Sequence, residues 1–140
     1  MIGVRVLVTN DDGTESPALV ALARAVRPLA DEVVVAAPQR NVSGAGTSLL
    51  GLVDGGQLPV EKREDADLVG IPLHGLEAHP ALIVLLARYG AFGEPPDLVF
   101  SGVNAGPNTG QAVLHSGTVG AAMTAASLGM SAAALSAAGT

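Results

Sequence analysis

The sequence predicts an α/β fold with a mainly parallel sheet, and three observations lead there. Short apolar runs rich in Val recur along the 140 residues, each bounded by turn residues. A helical pattern separates the first two of them with short connections, as in a βαβ unit, whose crossover is right-handed. Polar or glycine-rich segments follow the runs, and in an open α/β sheet ligands sit beyond the carboxyl ends of the strands.

Val4 to Thr9 is β-branched and apolar and stops at Asn10-Asp11-Asp12-Gly13, as a strand buried on both faces does. Ser16-Pro17 reads as a helix N-cap followed by proline at the first helical position. Leu19, Leu22, Ala23 and Val26 then share one helical face, and Pro28 closes that helix. Glu32 to Ala37 is a second buried strand, ended by Pro38, and Gln39 to Ser48 is a polar loop of small residues. Leu49 to Val53 and Leu58 to Glu61 flank Asp54-Gly55-Gly56, a hairpin-like turn signal. The charged run Lys62 to Asp67 reads as a solvated surface loop.

Pro80 to Tyr89 predicts a helix, with proline at its start and Gly90 at its end. After Pro95-Pro96, Asp97 to Ser101 is a third buried strand. The most glycine-rich stretch, Ser101 to Gly110, leads through His115-Ser116-Gly117-Thr118 into a helix of small residues, about Val119 to Leu128. Gly129 ends it, and Ser131 to Leu135 is read as a fourth strand. The chain stops a few residues later, an abrupt finish for a doubly wound domain.

Composition narrows the chemistry. Hydrophobic residues make up 49% and charged residues 14%, a globular balance. Tyr89, Phe92 and Phe100 are the only aromatics, so the core must be Ala, Val and Leu. With no cysteine there is no disulfide, thiolate metal site or cysteine nucleophile. The net charge is −6 and the bases are scattered, which argues against a long nucleic acid as partner. A phosphate handled by such a protein needs a metal ion or backbone amides. No apolar stretch reaches the ~20 residues that span a bilayer, and no secretory signal is visible. The expectation is a cytoplasmic protein without membrane partners.

Two adjacent carboxylates repel each other, and a divalent cation is the simplest remedy. A plain polar turn accounts for Asn10 to Gly13 equally well. What weighs for a site is the rest of the predicted sheet edge, where Ser43-Gly44 and Asn104 join Asp11 and Asp12. Together they form an all-oxygen set suited to one Mg²⁺ or Mn²⁺ ion. Glycines leave backbone donors uncovered between Asn104 and Gly110, and the helix opening at Ser116-Gly117-Thr118 presents amides and a positive dipole end to a phosphate. Bland readings stand beside these: Ser43 as a loop serine, Asn104 as a left-handed turn residue, Ser116 and Thr118 as capping residues. His115 is either structural or an aid to a leaving group. Arg40 greets a phosphate or is a surface arginine, while His74 and His79 are too isolated for a zinc site.

The motifs Val8-Thr9-Asn10-Asp11-Asp12-Gly13, Ala37-Pro38 with Ser43-Gly44, Ser101-Gly102-Val103-Asn104-Ala105-Gly106-Pro107-Asn108 and His115-Ser116-Gly117-Thr118-Val119-Gly120-Ala121-Ala122 occur in one order along the chain. In them the chain resembles the SurE family of metal-dependent nucleotidases. The resemblance implies a Rossmann-like three-layer sandwich and release of phosphate from nucleoside 5′- or 3′-monophosphates. It implies metal ligation by Asp11, Asp12, Ser43 and Asn104, with Asp11, Asp12 and Asn104 catalytic. Asn10, Ser43, Gly44, Gly106, Asn108, Ser116, Gly117 and Thr118 are then candidates to hold substrate or phosphate. It also implies a homo-oligomer, dimer or tetramer.

The chain departs from the family in two places. Gly75-Leu76-Glu77-Ala78-His79-Pro80-Ala81 stands where the family usually carries Gly-Thr-Pro-Ala-Asp-Cys-Val, and Val42 replaces an often polar or basic residue. Family members also continue well beyond this length. Residues 1–140 are therefore read as one SurE-like domain, either the N-terminal part of a longer family domain or a shortened relative. Two other function classes remain: a phosphatase with a covalent aspartate, for which Asp-x-Asp spacing is usual, and a non-catalytic metal- or nucleotide-binding relative.

Overall fold

The computed structural model describes residues 3–49, 51 and 56–138. Its centre is a six-stranded sheet built from β1 (Arg5–Thr9), β2 (Glu32–Pro38), β3 (Val60–Arg63), β4 (Leu73–Leu76), β5 (Leu98–Ala105) and β6 (Ser131–Ala137). The spatial order is β3-β4-β2-β1-β5-β6. Every neighbouring pair is parallel except β3 with β4. Three α-helices cover it: α1 (Pro17–Val26), α2 (Pro80–Arg88) and α3 (Gly117–Ser127).

Alternation along β1 sends its side chains into two separate cores. Val6 and Val8 pack with Val33, Val35 and the α1 residues Leu19, Leu22, Ala23 and Val26. Leu7, with no exposed surface, packs on the other face with Val99, with Ile83 and Val84 of α2, and with Ala121 and Ala125 of α3. One helix thus lies below the sheet and two lie above it, giving three layers. Burying a side chain such as Leu7 contributes about 1.5–3 kcal/mol. The small residues of α3 let it sit close to β5 and β6.

The predicted elements recur with shifted ends. The first helix ends at Val26, and Pro28 falls inside a 3-10 turn, Arg27–Leu29. The last helix begins at Gly117, two residues before the predicted start, because Ser116 caps it: its Oγ accepts the amide of Val119 at 3.1 Å. The fourth predicted strand extends to Ala137.

One reading needs correction. Lys62 and Arg63 are not loop residues but the end of edge strand β3, paired with His74 and Leu73 of β4. Charges on both faces of an edge strand keep it from pairing further, so charge here marked an edge and not only a loop. Arg63 also reaches back to the Thr14 hydroxyl at 2.7 Å. Strand β4 has no sequence signal of its own, since four residues interrupted by His74 and Gly75 show no period. Of the proposed hairpin, residues 50 and 52–55 lie outside the described residues; Gly51 forms an isolated bridge to Ala78. Among the described residues no helix is long and apolar enough to cross a membrane.

Candidate active site

Parallel pairing places β1 between β2 and β5, so the segments leaving all three strands meet at the carboxyl edge. The turn after β1 is closed by Asn10, which is fully buried. Its Nδ2 donates to the Gly13 carbonyl at 3.0 Å and its Oδ1 accepts the Gly13 amide at 3.1 Å. Both polar ends of Asn10 are thereby used to present Asp11 and Asp12.

Asp11 is 3% exposed and lies against the start of α3. The Thr118 hydroxyl sits 3.1 Å from Asp11 Oδ1 and 3.3 Å from Asn104 Oδ1. Its single proton serves one of those acceptors at a time. Asn104, from β5, is further oriented by donating Nδ2 to the Gly106 carbonyl at 3.0 Å. Gly117 makes the close approach possible, because a Cβ there would fall 2.9 Å from Asp11 Cβ.

Asp12 is half-buried and faces the other way. Its Oδ2 accepts the Ala105 amide at 3.2 Å, and its Oδ1 lies 3.5 Å from Asn41 Nδ2. Ser43 is exposed and is tied to the same Asn41, whose Oδ1 accepts both the Ser43 hydroxyl at 2.6 Å and the Ser43 amide at 2.8 Å. Asn41 therefore links Ser43 to Asp12, a role the sequence reading did not assign. The signal was available: Asn two residues before Ser is the spacing of an Asx turn. The Asp11 carbonyl, accepting the Val42 amide at 2.8 Å, holds this loop to β1. Farther along, Gly46 donates its amide to the His115 carbonyl at 3.1 Å. A Cβ on Gly120 would lie 1.9 Å from the Gly46 carbonyl oxygen, so the loop rests directly on α3.

Burial, first, and the neighbouring Asp12 charge, second, raise the Asp11 carboxyl above the usual carboxylate range. The Thr118 hydroxyl and amide work against that rise. Among the described residues the ion pairs found are Arg5–Glu32, Arg40–Glu77, Arg63–Glu15 and Arg63–Glu61, and no basic side chain pairs with Asp11 or Asp12. A buried carboxylate beside a second one, without a cationic side chain, is the environment a divalent cation relieves. The donor set fits such an ion. Asp11, Asp12, Asn104 Oδ1 and Ser43 Oγ are hard oxygen donors, and Mg²⁺ or Mn²⁺ takes few carboxylates and keeps several waters. No cluster of three or more His, Cys, Asp or Glu exists among the described residues, so an imidazole- or thiolate-based zinc centre is not built there.

The remaining predicted residues divide. Ser116 caps α3, and the Thr118 amide is directed at Asp11 and not at open space. Gly106 donates its amide to the Ala137 carbonyl at 2.8 Å, and Asn108 Nδ2 lies 2.5 Å from Ser136 Oγ, so both fasten the glycine-rich loop to β6. Gly44 is exposed beside Ser43 with a φ of +88°. Arg40 pairs with Glu77 at 2.9 Å. His74 lies 5.2 Å from the Phe92 ring, centroid to centroid.

Cavities lined by described residues include two beside the sheet. The larger, about 780 Å³, lies at the amino end of β4 among residues such as Lys62, Asp65 and Ile71. That is the end opposite the carboxylates. The smaller, about 180 Å³, lies between the loop after β2 and the start of α2.

Comparison with known proteins identifies the family and the fold. The model of the family described as "Survival protein SurE" matches residues 6–140. A protein of Methanopyrus kandleri named "5′-nucleotidase SurE" is 41% identical over 133 residues, covering 95% of this chain and 48% of its own length. One of the same name from Desulforudis audaxviator is 42% identical over 124 residues, 86% of this chain and 45% of its own. The crystal structure of a SurE protein from Aquifex aeolicus superposes with a TM-score of 0.77 at 39% identity, covering 96% of this chain and 51% of that one. The chain spans about half the length of the curated relatives it matches.

Proposed function

The chain belongs to the SurE family, and from that premise we propose that it is a divalent-metal-dependent phosphomonoesterase acting on nucleoside 5′- or 3′-monophosphates. The observation that carries the reading is the Thr118 hydroxyl placed between Asp11 and Asn104, which joins β1, β5 and α3 at one point. Asp11, Asp12, Ser43 and Asn104 would hold one Mg²⁺ or Mn²⁺ ion. Such an ion, when bound, polarises a phosphoryl oxygen and acidifies water for in-line attack.

The chain's own residues do the rest. Thr118 keeps Asp11 and Asn104 in register, as supporting hydrogen bonds do for metal ligands. Asp12, the more open carboxylate, accepts the proton of the attacking water. The backbone of 108–110 steadies the charge that grows on the phosphoryl oxygens. A second reading, in which the chain binds metal and nucleotide without turnover, is favoured by the departure of Gly75 to Ala81 from the family motif.

One assay tests both. Phosphate release from adenosine and uridine monophosphates is measured with Mn²⁺, Mg²⁺ or chelator, beside Asp11→Asn. The expected result is metal-dependent release that falls by more than about a hundredfold in the variant, beyond what loss of a ligand's supporting partner costs. Folded wild-type protein that binds Mn²⁺ but releases no phosphate would establish the second reading instead.

A further inference from the structure

Gly120 lies in the first turn of α3 and takes no part in the chemistry above. We propose that it is a positioning residue: its missing side chain seats the loop of residues 41–48 on α3 and so sets where Ser43 stands beside the carboxylate pair. This rests on the metal reading of Asp11, Asp12, Ser43 and Asn104. Glycine is a poor helix former, and alanine is intrinsically preferred at such a position. The backbone of Gly120 does not call for it either. Its φ is not positive, and its amide donates to the Ser116 carbonyl at 2.8 Å as in any helix. What calls for glycine is the neighbouring loop. A Cβ on Gly120 would lie 1.9 Å from the Gly46 carbonyl oxygen, 2.4 Å from the Gly46 carbonyl carbon and 3.0 Å from the Thr47 amide nitrogen. All three are backbone atoms, so no change of rotamer makes room, and in a close-packed interior the overlap has to be met by moving the loop.

The seat acts on Ser43 through a short piece of chain. The Val42 amide donates to the Asp11 carbonyl at 2.8 Å, and the Gly46 amide donates to the His115 carbonyl at 3.1 Å. Ser43, Gly44 and Ala45 alone lie between these two anchors. They run from the end of β1 to the start of α3, the same junction at which Gly117 comes close to Asp11. With three residues between fixed points, a shift of Gly46 re-aims Ser43. Asn41 holds Ser43 from one side, its Oδ1 accepting the Ser43 hydroxyl at 2.6 Å, and the seat on Gly120 holds it from the other. Gly120 touches none of the proposed ligands, so whatever it contributes to the site passes through the loop.

The test compares wild type, Gly120→Ala, Ser43→Ala and the double variant by calorimetric Mn²⁺ binding, by thermal melts in chelator and by amide hydrogen exchange of residues 41–48. Gly46→Ala joins the series, because it disturbs the seat from the loop side and leaves α3 unchanged. Its φ is +58°, and its Cβ would lie 3.0 Å from the Leu114 carbonyl oxygen. Gly120→Ala and Gly46→Ala are expected to speed exchange in the loop and to weaken Mn²⁺ binding about tenfold, as loss of a support behind a metal ligand does. In the Ser43→Ala background neither should weaken it further, since residues that act through one another are not additive. Gly120→Ala should not melt above wild type, although alanine is the better helix former. If it melts higher with loop exchange unchanged, the seat is overturned. Unchanged Mn²⁺ affinity in variants with a loosened loop, or an equal loss with and without Ser43, overturns the positioning role alone. A folded wild type that binds no Mn²⁺ overturns the metal reading and the role together. If Gly120→Ala does not fold, Gly46→Ala carries the same comparisons.

Discussion

On one side of the carboxylate pair, Asp11 is 3% exposed, Thr118 is fully buried, and Asn104 completes a contact made from three rigid elements. On the other side, Ser43 stands in an exposed loop and reaches Asp12 only through Asn41, the last link being 3.5 Å long. The difference follows from what each side is attached to. Strands and a capped helix fix the first side before any ligand arrives. The second hangs on a loop anchored, among other points, by the Val42 and Gly46 amides. Under the proposed metal-site reading, such an arrangement holds its charge rigidly and leaves Ser43 free to adjust around a substrate, as loops on a rigid scaffold do.

Breaking the rigid side should have the larger consequences. Below the Asp11→Asn loss already described comes Thr118→Val, which keeps shape and removes the hydroxyl. It should reduce metal affinity or turnover by about 10–100-fold. It should also destabilise the fold by about 1–3 kcal/mol, because buried acceptors on Asp11 and Asn104 lose their donor. Metal titration and denaturant melts measure the two effects separately. Next comes Gly117→Ala, whose methyl group meets Asp11 Cβ at 2.9 Å. Overpacking of that kind costs about 1–3 kcal/mol and should displace the carboxylate, read as a lower denaturant midpoint with weaker metal binding.

The flexible side should respond less. Asn41→Ala removes the tether of Ser43 and should raise KM by no more than about tenfold, the range of one exposed hydrogen bond, with the melting temperature nearly unchanged. A loss as large as that of Thr118→Val would show that the loop is as rigid as the strand side.

The smallest effect is one of pH and concerns Asp11 alone. Its carboxyl is raised in the fold, by burial first and by Asp12 second, so its ionised form is disfavoured there. The stability that goes with the protonated form is present below the ordinary carboxylate range and is lost as pH rises through the raised value. In chelator, Asp11→Asn should therefore melt above wild type at neutral pH, and the gap should close on acidification. A gap that stays constant or reverses across pH 4 to 7 would show that burial and Asp12 do not disfavour the charge.

Much of this was legible in the chain. Buried strands such as Glu32 to Ala37 announce themselves as unbroken apolar runs, and helices by their 3.6-residue period and caps such as Ser16-Pro17. Asp11, Asp12 and Asn104 could be named because they lie in the short polar or glycine-rich segments that follow such runs. Strand β4 could not be read, since four residues containing His74 and Gly75 carry no period, and β3 pairs only because β4 is beside it. Asn41 was visible as a residue but not as a link, because its partners Asp12 and Ser43 come together only across the loop.

The even choice between turn and site at Asn10 to Gly13 shows where that boundary falls. The sequence by itself determined that two carboxylates sit at a strand end closed by a glycine, because local chain geometry requires only neighbouring residues. Only the tertiary structure decided that Asp11 is buried, that Thr118, 107 positions away, faces it, and that no basic side chain among the described residues pairs with it. Burial and charge pairing are sums over groups distant in sequence, and they exist only once the sheet has brought those groups together.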